Sequence, residues 1–128
     1  MKLNFELFEE GEAGRTQDRV HVTLAADGRI YFSRRAVEAL GRPEAVALMF
    51  DRRRQVIGVM PSDAGRKHAF RLRTKLGMGE GRVISVRNFC RHFGIKAAET
   101  VAFPTANVNR DGILVLDLQM SESVKRDK

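Results

Sequence analysis

The stretch GRIYFSRRAVEALG at residues 28–41 is answered, at a spacing of 53 residues, by GRVISVRNFCRHFG at residues 81–94. Each opens on Gly-Arg followed by Ile or Val, and each closes on Gly. Ala36, Val37 and Leu40 have the i, i+1, i+4 spacing of one helix face, and they correspond to Phe89, Cys90 and Phe93. An apolar face kept while the positions around it change is the mark of a duplicated core unit. Two copies are too few for a solenoid, in which stacked repeats bury a continuous core. Two intertwined halves closing a small barrel fit better, because closure removes the sheet edges that separate hairpins would leave exposed.

The first unit reads as strand, turn, strand, short helix, hairpin. Val20, Val22 and Leu24 alternate with His21 and Thr23 as a strand, and Asp27-Gly28 supplies a tight turn into a return strand at Ile30 to Phe32. Ser33 caps a helix over 34–40, with Gly41 as its left-handed stop. Strands at 46–50 and 55–60 follow, joined through Asp51 to Arg54. In the second unit AFRLR (69–73) stands for VHVTL, Val101 and Phe103 for Leu48 and Phe50, and a longer turn at 106–112 precedes a strand at 113–118. Leu3, Phe5 and Leu7 add an N-terminal strand, followed by an acidic stretch. The fold class expected is mainly β with two short helices, a duplicated swapped-hairpin or cradle-loop-type small β-barrel. It forms one domain over 1–128 with repeats at about 19–60 and 69–118, and a flexible polar tail at 119–128.

A chain of 128 residues can bury a core without staples, and Cys90, its single cysteine, permits neither an intrachain disulfide nor a cysteine zinc cluster. Together with an acidic N-terminus that lacks a signal-peptide core and the absence of a membrane-length apolar run, this leads to an expectation of a cytoplasmic protein without a membrane partner. His21, His68 and His92 lack metal-ligand spacing, and Cys90 on an apolar face reads as core filling. GlyMetGlyGluGly at 77–81 lacks the Gly-Lys-Ser/Thr ending of a phosphate loop and reads as a hairpin connection. The chain is expected to be non-enzymatic, with no cofactor or metal. Its net charge is +7, and between Arg66 and Lys96 nine basic residues face one acid, Glu80. Such a span attracts phosphate backbones, or serves simply as a solvated surface.

Gly-Arg-Ile, a short strand, a two-turn helix ending in Leu-Gly and a following strand pair together resemble the AbrB-type swapped-hairpin module of bacterial regulators and antitoxins. Two tandem units in one chain are similar to the MraZ type. The resemblance covers 28–60 well and 81–118 less fully, and it implies an interlocked β-barrel that binds DNA. It places the arginine after the turn glycine on Arg29 and Arg82. The paired arginines late in the family helix fall on Val37 and Glu38 and on Cys90 and Arg91, so Arg91 alone is kept.

Candidate DNA-binding residues are therefore Arg29 and Arg82 for base edges, and Arg34, Arg35, Arg87 and Arg91 on the two helices for phosphates. Arg52, Arg53 and Arg54 at a hairpin tip form a backbone clamp or a soluble turn. Each of these arginines has an alternative as a solvated side chain whose stem covers apolar surface. The expected function is a non-enzymatic DNA-binding protein, a prokaryotic or phage transcriptional regulator or antitoxin-like factor, with a homodimer as an allowed assembly. The competing expectation is a noncatalytic protein-interaction module on the same duplicated barrel, which the loss of family arginines at Val37 and Glu38 favours.

Overall fold

The computed structural model describes residues 19–74, 77 and 79–124. The strand expected at Leu3 to Leu7, the acidic stretch after it and Lys75 lie outside the described residues. The strands in chain order are β1 (Val22–Leu24), β2 (Arg29–Phe32), β3 (Ala45–Asp51), β4 (Val56–Ser62) and β5 (Phe70–Arg71), then β6 (Arg82–Ser85), β7 (Val101–Ala102), β8 (Asn107–Val108), β9 (Leu114–Asp117) and β10 (Glu122–Ser123). Helix α1 (Arg34–Ala39) follows β2, α2 (Arg87–Phe93) follows β6, and a 3-10 turn at Leu118–Met120 follows β9. The protein is mainly β with two short helices.

The strands form two five-stranded sheets, ordered β10-β7-β1-β2-β6 and β5-β3-β4-β9-β8, with every pairing antiparallel. They share one core: Val22, Leu24, Ile30, Phe32 and Ile84 from the first sheet meet Val46, Ile57, Val59, Leu114 and Leu116 from the second. The sheets touch through the Arg73–Val83 bridge, whose backbones exchange hydrogen bonds of 3.0 and 2.9 Å. The chain also passes from one sheet to the other four times, between β2 and β3, β5 and β6, β7 and β8, and β9 and β10.

The two units are interleaved. β1 pairs with β7 of the second unit, and β5, which stands where β1 stands in the first unit, pairs with β3. Between them β2 and β6 pair directly, Arg29 opposite Ser85 and Phe32 opposite Arg82. β3 is one unbroken strand that pairs with β5 at its start and with β4 along its length. Its counterpart in the second unit is divided into β7 and β8, which lie in different sheets. Pro104, which has no N–H for a ladder, sits in the break, and Ala106 N–H donates to the Phe103 carbonyl at 3.1 Å to close a turn there. The position of β7 therefore matches the start of β3, Ala45 and Val46, rather than Leu48 to Phe50, and the second helix-to-strand connection is the longer one.

Part of the expected flexible tail is paired. Glu122 and Ser123 lie opposite Ala102 and Val101, and Val124 N–H donates to the Thr100 carbonyl at 2.9 Å. The outer edge of β7 offers unpaired backbone groups that any strand-compatible segment can satisfy, and the polarity of residues 121–124 does not prevent this.

Ser33 ties the first unit together. Buried at 5 % exposure, its hydroxyl accepts from Ala36 N–H at 3.2 Å and from His21 N–H at 3.0 Å, and donates to the Arg19 carbonyl at 2.7 Å. Its own N–H donates to the His21 carbonyl at 2.9 Å. This is the expected helix cap, extended into a link between α1 and the chain entering β1. At the corresponding point of the second unit stands Val86, fully buried and without a side-chain cap. We predict that Ser33→Ala lowers unfolding free energy by about 1–3 kcal/mol, since one buried and one part-buried N–H donor lose their acceptor. Urea denaturation checks this, and a loss no larger than that of an exposed serine such as Ser85→Ala would contradict it.

Candidate nucleic-acid interface

The interleaving sets each helix against the turn of the other unit. Val86 N–H donates to the Gly28 carbonyl at 2.7 Å, extending the β2–β6 ladder to the start of α2. Gly28 has a φ of +86°, and a side chain there would come within 3.1 Å of both Cα and Cβ of Arg87. On the opposite side Glu80, just before the second Gly-Arg, reaches Arg34 at the start of α1, 3.9 Å away.

The structure divides the nine candidate arginines into unlike groups. Those of α1 sit among carboxylates. Arg35 is 3.6 Å from Glu38, Arg42 donates to Glu38 at 2.8 Å, and Arg34 faces Glu80. The Arg42 hydrogen bond, reinforced by the nearby charges of Arg42, Arg34 and Arg35, holds the Glu38 carboxyl below its ordinary range despite some opposition from desolvation. Arg29 is also engaged. Its hydrogen bond with Tyr31 and its ion pair with Asp27, at 3.7 Å, raise its pKa above the usual arginine value.

Around α2 the picture changes. Arg87 and Arg91 are one turn apart on its exposed side, and neither they nor Lys96 make an ion pair among the described residues. They line a shallow groove of about 300 Å³ with Cys90, Ile95 and Asp27, which is the one acid on its wall. The other flank of α2 carries the β3–β4 hairpin tip. Phe50 packs on Phe89 and Phe93 with ring centroids 6.3 and 5.1 Å away, and the Arg52 guanidinium lies 4.9 Å from the Phe93 ring centre. Asp51 spends its carboxylate on the turn, accepting from Arg54 N–H at 3.0 Å, and the exposed Arg52, Arg53 and Arg54 make no ion pair among the described residues. α2 thus carries Arg87 and Arg91, with Lys96, along one flank and the Arg52–Arg54 tip on the other.

Arg29 and Arg82, alike in sequence, are unlike in place. Direct cross-strand partners share a face of the sheet, so Arg82, opposite buried Phe32, leaves β6 on the core side at the end of the ladder. Arg29, opposite exposed Ser85, leaves β2 on the outer side. Half-buried Arg82 donates to the Gly81 carbonyl at 2.8 Å. The apolar facing of the strands follows a spacing one residue longer than that of the helices: Ile30 and Phe32 are matched by Ile84 and Val86, all buried. A one-residue slip in a strand turns every side chain to the other face.

Burial pushes the Cys90 thiol above its ordinary pKa, which suits a packing role, and burial followed by the charge of Arg19 pushes His21 down. Among the described residues no group of three or more His, Cys, Asp or Glu is placed to hold a metal, and no helix is long and apolar enough to cross a membrane. A second, larger depression of about 840 Å³, which sequence reasoning did not anticipate, lies between Pro43, Ala47, Met60, Pro61, Arg66 and His68. No family model, curated protein or solved structure matches the chain.

The Gly28 contact sets the distance between the β1–β2 turn and α2. We predict that Gly28→Ala destabilises the protein by about 2 kcal/mol or more, because positive-φ strain adds to a contact with backbone that cannot yield. Gly41→Ala is the comparison, since Gly41 has a φ of +85° with nothing within 4 Å of the added carbon. Equal losses for the two variants in urea titrations would show that the contact with Arg87 costs nothing.

Proposed function

We propose that this chain is a non-enzymatic DNA-binding protein, a cytoplasmic prokaryotic or phage transcriptional regulator or antitoxin-like factor, that engages duplex DNA through its phosphates. The observation that carries the reading is the grouping around α2 of Arg52, Arg53, Arg54, Arg87, Arg91 and Lys96 without an ion-paired carboxylate among the described residues. Cations of this kind displace the counterions condensed on DNA, and the released ions drive association. Backbone contacts would position the protein on the duplex. Outward-facing Arg29, beside the turn that abuts α2, is the candidate for a base edge, which it would reach by giving up its exposed pair with Asp27 at 3.7 Å.

The AbrB-like wording of the two units supports the same reading, and the interleaved pairing of β1 with β7 and of β5 with β3 is what a swapped arrangement of two hairpin modules requires. A second reading, a noncatalytic protein-interaction module, draws on the depression at Met60, where an exposed methionine adjoins Pro43 and Pro61. Methionine and proline surfaces accept partners of varied shape.

Fluorescence anisotropy with a random-sequence duplex of about 30 base pairs, at about 50 and 200 mM salt, tests the DNA reading. With six phosphate contacts, affinity is expected to fall by about 10³ between the two salt concentrations. Absence of binding at the lower concentration would overturn the reading and leave the protein-interaction module as the better account.

A further inference from the structure

Duplication gives the molecule two helix flanks, and a symmetric binder would use both. The charges around them are not equivalent. On α1, Arg34, Arg35 and Arg42 each have a carboxylate oxygen within 4 Å, at 3.9, 3.6 and 2.8 Å, supplied by Glu80 and Glu38. A phosphate approaching this flank must compete with carboxylates already in place, and it meets their repulsion. At 4 Å one unit charge acts on another with about 1 kcal/mol in bulk water and several times that near a protein surface.

On α2 there is no acidic residue in the first turn, and Arg91 and His92 occupy the last. Arg87, Arg91 and Lys96 form the wall of a groove whose other lining is largely apolar, its one acid, Asp27, being paired with Arg29 at 3.7 Å. The helix is held from behind by Phe89 and Phe93 against Phe50, with Arg52 stacked on the Phe93 ring, so its cations sit on a rigid support rather than on a loop.

We infer that the DNA-contacting surface is one-sided: the α2 flank with the β3–β4 hairpin tip takes the phosphates, while the α1 flank is kept out of the interface by Glu38 and Glu80. This inference rests on the DNA reading above. It departs from the expectation that both units contribute alike, and it removes Arg34 and Arg35 from the contact set. It also gives the two carboxylates a definite part, since they limit the DNA surface to one face of the duplicated scaffold.

The test compares four variants of the full chain by anisotropy across a salt series, each first shown to melt like the unmodified protein. Removing the α2 cations in Arg87→Ala/Arg91→Ala/Lys96→Ala is expected to lower affinity at least about tenfold and to reduce the slope of log affinity against log salt by about 3. Arg34→Ala/Arg35→Ala is expected to stay within about twofold of the unmodified protein, because those groups make no phosphate contact to lose. Glu38→Gln/Glu80→Gln is expected to bind several-fold tighter with a steeper slope, as the α1 arginines are released to a second phosphate run. Arg71→Ala/Arg73→Ala, at exposed positions in and just after β5 in the same basic span, is expected to lose less than the α2 variant. Equal losses for the α1 or β5 variants and the α2 variant, or no gain on removing the two acids, would overturn the one-sided surface while the DNA reading stood. Failure of the unmodified protein to bind would remove the DNA reading itself, and this is seen before any variant is made.

Discussion

The ladder between β2 and β6 is the constraint on which the rest of the molecule depends. Four residue pairs join the two units there, and each strand leads directly into its unit's helix. Ile30 opposite Ile84 sets the register, because this pairing turns both side chains into the common core. Sliding one strand by a single residue would carry its apolar side chains outward, a cost no turn could offset. With the register fixed, the hydrogen bond from Val86 to Gly28 follows, α2 abuts the first unit's turn, and α1 is brought near Glu80. Helices this short have little stability of their own in water, and they are held differently: α2 by Gly28 and Phe50 of the other unit, α1 by the Ser33 hub within its own.

Much of the local structure was legible because its signals are local. The alternation around Val22 and Leu24, the Asp27-Gly28 turn, the cap at Ser33 and the apolar faces Ala36-Val37-Leu40 and Phe89-Cys90-Phe93 act within one strand or one helical turn. The pairing of β1 with β7 and of β5 with β3 has no such signal, since the residues brought together lie in different units and are linked only by the finished core. Repetition itself misled at one point. The spacing that aligns the helices aligns Arg29 with Arg82, yet alternating facing is what a strand preserves, and by that criterion Ile30 answers to Ile84. The split at Pro104 was legible as a strand breaker in principle, because proline cannot donate to a ladder, but alignment with the unbroken β3 concealed it.

The candidate site was legible as a collection of arginines and not as a surface. Spacing alone marks Arg35–Glu38 and Glu38–Arg42 as helix-compatible pairs, a signal available before any fold is known. The Arg34–Glu80 pair is different, because the interleaving of units brings those residues together across a long stretch of chain. The grouping of Arg52 with α2 likewise depends on Phe50 reaching Phe89 and Phe93, which is a property of the core.

The two helices also solve the same anchoring problem by opposite means, and this bears on which surface can hold a polyanion. α1 is fastened by a polar hub: Ser33 binds His21, Arg19 and Ala36, and the helix surface is bound up in ion pairs. α2 begins at apolar Val86 and is fastened by aromatic packing on its inner face. Ion pairing with carboxylates uses the guanidinium groups that a phosphate would need, whereas aromatic packing uses the opposite face of the helix and leaves them available. Two units can therefore share one apolar core pattern while their surface charges differ, because packing constrains Phe89 and Phe93 but sets no condition on Arg87 and Arg91.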